Sequence, residues 1–443
     1  MIPKLISRVR AFHPDHHAIA RGMAWVVLFV FIGKLFGAAK EMAIARRYGV
    51  SEEIDAYLFV FNLVTWPVNV WFSVLTVVWV PLAARIRKDA ADELPQFRAE
   101  LLGLTLLLGA AFALLAWLGL PVLLRASWTG LPATTVTIAT NMAPTMALLL
   151  PMGVFISLFS AWMLAAGRHA NTLLESVPAG AILLALLAFP GGGVEPLVWG
   201  TLSGFALHLA SLATPQARHS EIELPRFTRQ SPQWPVFWQG FSIVLAGHAL
   251  MSFIGIVDQF FAAHLGVGAI ASLSYANRIL ALVLGLGATA VSRATLPVFS
   301  QAQAEGGGYV HRMAIHWARL LFVLGVAALI GGWWLAPWAV NLLFERGAFT
   351  AQDTAVVTEI FRYGLVQVPF YFSSLVLVSL LASQGRYRVI AAVASINLIV
   401  KVVASCGLAP WRGVNGIVLA TALMYAGSIL LCWLAIRRTN MGV

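Results

Sequence analysis

Charged residues are scarce in this sequence, and their scarcity excludes most classes of soluble protein. Asp, Glu, Lys and Arg make up 11% of the 443 residues, whereas a soluble domain carries about a quarter. Hydrophobic residues make up 60%, and apolar runs recur along the whole chain. Each run reaches the roughly 20 residues that an α-helix needs to cross a hydrocarbon core of about 30 Å. We therefore expect a polytopic membrane protein.

Three further absences narrow the classes of function. Only two cysteines are present, Cys406 and Cys432, and both lie in apolar stretches, so we expect neither a disulfide framework nor a metal-binding motif. Segments of alternating polarity, which a transmembrane β-barrel requires, are missing. No phosphate-binding loop, dinucleotide-binding motif or nucleophile–base constellation is present, so the sequence predicts no enzyme, no cofactor and no nucleic-acid partner.

The apolar runs predict an all-α polytopic membrane protein of about twelve transmembrane helices. Lys and Arg gather in alternate loops, as Arg85, Arg87 and Lys88 do after the second helix, and the net charge is +11. Because basic loops stay on the cytoplasmic side, this bias places both termini in the cytoplasm. The predicted helices span residues 23–47, 55–84, 99–123, 134–166, 172–190, 194–214, 236–264, 270–300, 315–340, 353–384, 388–408 and 414–436.

The longest polar stretch divides the chain into two halves. Residues 215–235 combine prolines with charges of both signs and show no apolar periodicity, which is typical of a linker. The predicted organisation is a basic cytoplasmic segment over residues 1–22, a six-helix lobe over 23–214, the cytoplasmic linker 215–235, a second six-helix lobe over 236–437 and a cytoplasmic tail over 438–443.

The two halves also repeat in sequence, at offsets of 216 to 218 residues. The matched landmarks are Tyr48-Gly49-Val50 with Leu265-Gly266-Val267, Pro81 with Pro297, Pro151 with Pro369, and Gly167-Arg168 with Gly385-Arg386. In this register Glu41 corresponds to Asp258. Because six helices in each half insert with the same orientation, we expect a pseudo-two-fold axis along the membrane normal, with the substrate site between the lobes. That geometry suits alternating access.

Charged side chains at membrane depth cost at least about 2.5–3.5 kcal/mol each, so each needs a partner, water or a function. Lys34 and Lys40 in the first helix and Arg278 in the eighth would line a cationic cavity that binds a phosphate-bearing substrate. The forked guanidinium of arginine suits a diphosphate in particular. The alternative is structural: Lys40 reaches toward the head groups and Lys34 pairs with an acid. Arg278 would then pair with Asp258 or Glu41.

Asp258 in the seventh helix and Lys401 in the eleventh are predicted to form an ion pair, which would neutralise both charges. Asn397 lies one turn before Lys401 on the same helix face. The pair is either structural or the place where a proton or another ion couples to movement, and the sequence supports both. Glu359 and Arg362, three residues apart, predict a second, local ion pair.

Several motifs resemble those of the MurJ/MviN flippases, a family of the multidrug/oligosaccharidyl-lipid/polysaccharide exporters. The family's opening signature S-R-x-L-G-x-x-R-D, followed by F-G and T-D-A-F, is similar to residues 33–41, Tyr48-Gly49 and Asp55-Ala56-Tyr57. In the second half, Tyr275-Ala276-Asn277-Arg278 resembles Y-A-D-R, and residues 344–354 resemble F-x-R-G-A-F-T-x-x-D-T. The last motif is the most specific, and the similarity is scattered over nearly the whole chain.

This resemblance implies two six-helix lobes around a central cavity. It also implies translocation of an undecaprenyl-diphosphate-linked saccharide, such as lipid II, from the inner to the outer leaflet of the bacterial cytoplasmic membrane. The family's cavity cations fall on Lys34, Lys40 and Arg278, and gate or relay positions fall on Glu41 and Asp55. The implied partners are the polyprenyl-linked glycan, membrane lipids and proteins of envelope synthesis.

The sequence departs from the family pattern in several respects, two of which concern the predicted site. Two of the three cavity arginines are lysines, Lys34 and Lys40, which keep the charge but lose the bidentate fork. Some members bind sodium with an acid in the seventh helix and an Asn and Asp one turn apart in the eleventh. Here Asp258 and Asn397 are kept, but Lys401 stands where the second acid would be. A tethered ammonium in place of the cation argues against sodium binding, and the departures favour another head group, such as an exopolysaccharide or O-antigen repeat unit.

The leading hypothesis is a lipid-linked saccharide flippase that works by alternating access, coupled to a proton, to sodium or to the membrane potential. Two other classes stay open. A cation-coupled multidrug exporter fits the fold class, but a cavity with three cations is a poor site for cationic drugs. A non-transporting scaffold of envelope synthesis would tolerate apolar residues in place of the buried charges.

Overall fold

A computed structural model of the protein describes residues 14–168, 171–191, 193–304 and 309–440. Over these ranges the regular structure is helical, and the predicted all-α class is confirmed. Seven segments are long and apolar enough to cross a membrane, or up to nine if each of two bent pairs counts as one span, within the described residues. The count of twelve spans and the two-lobe arrangement stay predictions. The helices are α1 Pro14–Tyr48, α2 Glu52–Asp89, α3 Glu93–Arg125, α4 Ala133–Ala147, α5 Leu149–Ala165, α6 Asn171–Leu174, α7 Val177–Ala188, α8 Glu195–Arg218, α9 Trp234–Ala263, α10 Ala269–Ala304, α11 Val310–Phe344, α12 Ala351–Leu365, α13 Gln367–Ser383, α14 Tyr387–Arg412 and α15 Val414–Asn440.

The first helix begins earlier than the sequence predicts. The segment 1–22 is expected to precede it, with Pro14 as an interruption, but α1 begins at Pro14 itself. Proline suits the first turn of a helix, because its missing N–H would have no partner there. Residues 1–13 and 441–443 lie outside the described residues, so the predicted terminal segments are described only in part.

Three of the predicted helices are each divided into two segments, and the one predicted over 172–190 is α6 followed by α7. The helix predicted over 134–166 is α4 followed by α5, separated at Leu148, with a bend of 43° between them. The helix predicted over 353–384 is α12 followed by α13, separated at Val366. None of the three breaks was expected from the apolar pattern, because hydropathy does not register a change of helix direction.

The breaks at Leu148 and Val366 are part of the internal repeat. Pro151 lies in the first turn of α5 and Pro369 in the first turn of α13, where a proline costs little helix stability. Each proline packs against a glycine of the third helix of its half, so that a Cβ at Gly109 would lie 3.2 Å from the Cα of Pro151 and a Cβ at Gly325 would lie 2.5 Å from that of Pro369. Positive φ angles also recur in glycine pairs 217 or 218 residues apart: Gly49 and Gly266, Gly130 and Gly347, Gly167 and Gly385. The sequence repeat is therefore a structural repeat.

The chain divides into two compact units that do not coincide with the two sequence halves. The first unit comprises the chain up to Ala43, Pro67–Trp117 and Pro144–Ser242, and the second comprises Ile44–Trp66, Leu118–Ala143 and the chain from Ile243 on. In the core of the first unit, Trp79 lies between Phe97 and Trp162, with ring centroids 5.7 and 6.2 Å away. In the second, Tyr275 packs on Phe344 and Phe349 at 5.0 and 5.3 Å.

Gly49→Ala is expected to lower the free energy of unfolding by about 2 kcal/mol or more. Gly49 has φ of 57°, and a Cβ there would overlap the carbonyl of Ala348. The matched control is Gly407→Ala in α14, which meets no atom within 4 Å and should stabilise the helix by about 0.5–1 kcal/mol. Thermal unfolding in detergent measures both variants, and equal melting shifts would contradict this account of Gly49.

Candidate functional site

Two of the predicted substrate-binding cations lie on α1. Lys34 and Lys40 are six residues apart, or about 9 Å along the helix axis. Lys34 is exposed. The ammonium of Lys40 lies 2.6 Å from Oε1 of Glu41, and the two side chains are 21% and 12% exposed. A phosphate group would have to compete with Glu41 for Lys40, so Lys34 offers the more accessible charge of the two.

The third predicted cation, Arg278, lies on α10 and is partly buried. It follows Tyr275 by one turn. The Tyr275 side chain is almost fully buried, and its hydroxyl donates a hydrogen bond to the carbonyl of Gly49 at 3.1 Å. Arg278 belongs to the second compact unit, whereas Lys34 and Lys40 belong to the first. The convergence of the three cations on one cavity stays a prediction.

Asp55, predicted as a gate or relay residue, caps the N-terminus of α10. Its side chain is 1% exposed, and its two carboxylate oxygens accept hydrogen bonds from the backbone N–H groups of Gly268 at 2.5 Å and Ala271 at 2.7 Å. The first N–H groups of a helix lack partners within the helix and carry a partial positive charge. The Asp55 carboxylate accepts hydrogen bonds from two of these N–H groups and places a negative charge beside the partial positive charge. It also holds the first turn of α2 against the start of α10.

Further backbone contacts hold the same region together. The N–H of Ala348 donates to the carbonyl of Arg46 at 2.8 Å. Gly49 lies directly against the backbone of Ala348. We call this assembly the clamp: residues 46–55 with the N-terminus of α10 and the loop 345–350. It joins three of the motifs that carry the family resemblance. Glu41 pairs with Lys40 instead, outside the clamp.

The predicted pair of Asp258 and Lys401 forms. Oδ1 of Asp258 in α9 lies 2.5 Å from Nζ of Lys401 in α14, and the Lys401 side chain is fully buried. The ammonium also donates to the carbonyl of Ile417 and to the hydroxyl of Thr421 in α15, both at 2.7 Å. Three donated hydrogen bonds use all three protons of the ammonium. We call these residues, with the buried Asn397 one turn before Lys401, the Lys401 cage.

The cage contains atoms that the sequence did not point to. Thr421 is a polar residue inside an apolar helix, and this could have marked it as a partner for a buried charge. The carbonyl of Ile417 has no sequence signal, because every residue carries one. Within the described ranges no three His, Cys, Asp or Glu side chains lie close enough together to hold a metal ion.

The local ion pair predicted between Glu359 and Arg362 is wrong. Glu359 accepts a hydrogen bond from Nδ2 of Asn415 at 2.8 Å. Arg362 donates through Nε to the carbonyl of Trp333 at 3.0 Å, and its guanidinium lies 5.4 Å from the centroid of the Trp333 ring. Helical spacing allows a pair but does not compel one, and partners on neighbouring helices compete successfully here.

A family model described as "Lipid II flippase MurJ" matches residues 44–442. The chain belongs to the MurJ family. The match contains the clamp, Arg278 and the whole Lys401 cage. The three candidate residues on α1 precede the matched region, so their roles depend on the motif resemblance alone.

Individual MurJ relatives differ in how much of their length the chain covers. It is 31% identical to the probable lipid II flippase MurJ of Helicobacter pylori (strain J99) over 45% of this chain and 43% of that protein, so the chain spans less than half the length of this relative. It is 25% identical to the Rhizobium tropici relative over 95% of this chain and 84% of that one. It is 24% identical to the Burkholderia cenocepacia lipid II flippase MurJ over 78% of this chain and 70% of that protein.

A solved MurJ structure and a solved multidrug transporter share this fold. "Lipid II flippase MurJ, inward closed conformation" matches with a TM-score of 0.81 at 18% identity, over 94% of this chain and 87% of that one. An inward-facing multidrug transporter of the MATE family matches with a TM-score of 0.73 at 16% identity, over 92% and 94%. At such identities the likeness establishes the fold and no activity.

Removal of one partner of the Asp258–Lys401 pair is expected to cost about 3–5 kcal/mol, because an uncompensated charge is left in the interior. Asp258→Leu and Lys401→Met are the single variants, and the double variant should recover most of the loss. Thermal unfolding in detergent gives the double-mutant cycle. Additive losses would show that the two charges do not depend on each other.

Asp55→Asn is expected to destabilise the protein by about 1–3 kcal/mol, since the amide places an NH₂ group against one of the two N–H donors in a buried site. The matched control is Asp353→Asn. Asp353 forms an exposed capping box with Thr350 at the start of α12, and its loss should cost no more than about 1 kcal/mol. Hydrogen exchange in the first turn of α10 should rise in the first variant alone; unchanged protection would refute the cap.

Proposed function

We propose that the protein is a flippase that moves a polyprenyl-diphosphate-linked saccharide from the inner to the outer leaflet of the bacterial cytoplasmic membrane. The observation that carries the proposal is the match of the lipid II flippase MurJ family over residues 44–442, which includes all the buried polar clusters of the second unit. The relatives from Rhizobium tropici and Burkholderia cenocepacia, which are named as a probable and as a lipid II flippase MurJ, match this chain over most of their length.

Lys34, Lys40 and Arg278 would hold the diphosphate. Lys34 is exposed at a depth where the α1 sequence is otherwise apolar, which favours contact with a charged ligand or water over contact with lipid. The ammonium of Lys40 is already held by Glu41. Binding of a phosphate would displace this carboxylate, and Glu41 would thereby act as the relay between substrate binding and movement of α1.

The clamp would act as the gate of one end of the transport path. Residues 46–55 belong to the first half of the sequence, yet they are fastened to the second half through Asp55 and Tyr275. Opening at this end requires these hydrogen bonds to break together. The solved structures similar to this chain include inward-facing and outward-facing transporters, which supports alternating access as the mechanism.

The Lys401 cage would replace a coupling cation by a covalently attached one. The ammonium is surrounded by a carboxylate, a carbonyl and a hydroxyl, the same kinds of oxygen that bind a monovalent cation. Because Lys401 cannot leave, the cage would stay neutral throughout the transport cycle. We propose that transport needs no sodium at this place and that the membrane potential acts on the charged substrate instead.

The proposed orientation places both termini in the cytoplasm. This follows from the Lys and Arg bias of the loops. The substrate is the principal partner, with membrane lipids and proteins of envelope synthesis as further partners. Head groups other than that of lipid II, such as an exopolysaccharide or O-antigen repeat unit, fit the same diphosphate chemistry.

Arg278→Ala is expected to lower transport of the lipid-linked diphosphate at least ten-fold. The reason is that a hydrogen bond to a charged group contributes about 1.5–3 kcal/mol. The transport rate of Arg278→Lys should lie between those of Arg278→Ala and the wild type, since lysine keeps the charge but lacks the forked guanidinium. The exposed Arg312 provides the matched control, Arg312→Ala. Flipping in proteoliposomes and native mass spectrometry of bound lipid measure the effect, and full transport by Arg278→Ala would remove Arg278 from the site.

A further inference from the structure

The connection between α8 and α9, residues 219–233, is held in a fixed place although it contains no helix. We call it the strap. Its anchor is Glu100 of α3, whose side chain is 1% exposed. The carboxylate accepts hydrogen bonds from the backbone N–H groups of Gln230 at 3.1 Å and Ser231 at 3.2 Å, and from the indole of Trp234 at 2.6 Å. A buried carboxylate is thus satisfied by two backbone N–H groups of the strap and by the indole N–H of the first residue of α9.

The strap lies level with the start of the long apolar run of α3. The N–H of Arg226 donates to the carbonyl of Ala99 at 2.9 Å. A Cβ at Gly103 would overlap the carbonyl of Arg226, so the strap backbone rests directly on α3. Between these two contacts, at Leu101, the long apolar run of α3 starts. Because an apolar run of a membrane-spanning helix starts where the hydrocarbon core starts, we expect the strap near the boundary between head groups and acyl chains.

The outer side of the strap combines apolar and basic side chains. Leu224 is 85% exposed and Phe227 is 62% exposed. Arg226 and Arg229 alternate with them and are exposed as well. Large apolar side chains in water are unfavourable, whereas at the boundary between head groups and acyl chains they are stabilised by burial.

The acidic residues of the strap do not cancel this basic character. Glu221 is bound by both terminal nitrogens of Arg168, at 2.6 and 2.9 Å. This leaves Glu223, which is partly buried, against the two exposed arginines. The exposed side of the strap is therefore apolar and positively charged.

We propose that the strap is an interfacial segment that binds anionic phospholipid. Leu224 and Phe227 insert at the edge of the acyl chains, and Arg226 and Arg229 bind the phosphates of the surrounding head groups. Each basic residue near an anionic surface adds about five-fold to the attraction. Glu100 is a positioning residue, because it holds the strap at the depth where both kinds of contact can form. A cytosolic protein fits less well, since the strap lies level with the start of the apolar run of α3.

A spin label at position 227 tests the proposal. The labelled chain is Phe227→Cys in a background of Cys406→Ser and Cys432→Ser, reconstituted in nanodiscs of phosphatidylcholine with or without phosphatidylglycerol. Collisions of the label with oxygen, which concentrates in lipid, are compared with collisions with a water-soluble nickel complex. We expect oxygen contact to dominate when phosphatidylglycerol is present. The variant Arg226→Gln/Arg229→Gln should weaken the attraction on the order of 25-fold and return the label to water.

The matched control removes the same charge elsewhere. Arg312→Gln/Arg319→Gln neutralises two exposed arginines of α11 and should leave the label in lipid. Glu100→Gln should raise the mobility of the label, because the strap loses its anchor. A label that contacts nickel in both kinds of nanodisc overturns the proposal. A label that stays in lipid without phosphatidylglycerol and after substitution of both arginines also overturns it. A label that is shielded from both oxygen and nickel overturns it as well, because it would indicate that a protein covers the strap.

Discussion

The high free energy of a charge in hydrocarbon is the constraint on which the rest of this structure depends. In each described cluster, the charge is stabilised in a different way. Lys401 and Asp258 neutralise each other, and two oxygens of α15 complete the ammonium's shell. Lys40 and Glu41 pair along one helix. Asp55 and Glu100 form no ion pair among the described residues. Asp55 accepts hydrogen bonds from N–H groups at the start of α10, and Glu100 accepts them from two backbone N–H groups of the strap and the indole of Trp234. The charges thereby fix which helices stay together.

These solutions have consequences for movement. The Lys401 cage ties α9, α14 and α15 within the second unit, and nothing in it has to be exchanged with the solvent. The clamp, in contrast, consists of a few backbone hydrogen bonds and one cap, which can open together. In the proposed transport cycle, the clamp would open while the cage stays intact.

The sequence predicts the helices and the repeat well, because burial in a membrane demands long apolar runs and because equivalent landmarks such as Pro151 and Pro369 recur in register. It predicts the Asp258–Lys401 pair, since both charges lie deep and need partners. It could not predict the carbonyl of Ile417, the breaks at Leu148 and Val366, or the partners of Glu359 and Arg362, because these depend on how helices face each other. The sequence does not single out Glu100, because this residue directly precedes the apolar run of α3, where an acid is ordinary.

The most direct test of the account is the flipping of a fluorescent polyprenyl-diphosphate-linked saccharide by the wild-type protein in proteoliposomes, once in sodium chloride and once in choline chloride. A flippase with a tethered ammonium should move the lipid at the same rate in both salts, and faster when a membrane potential is imposed. Failure to move any lipid-linked diphosphate, or movement that requires sodium, would contradict the account.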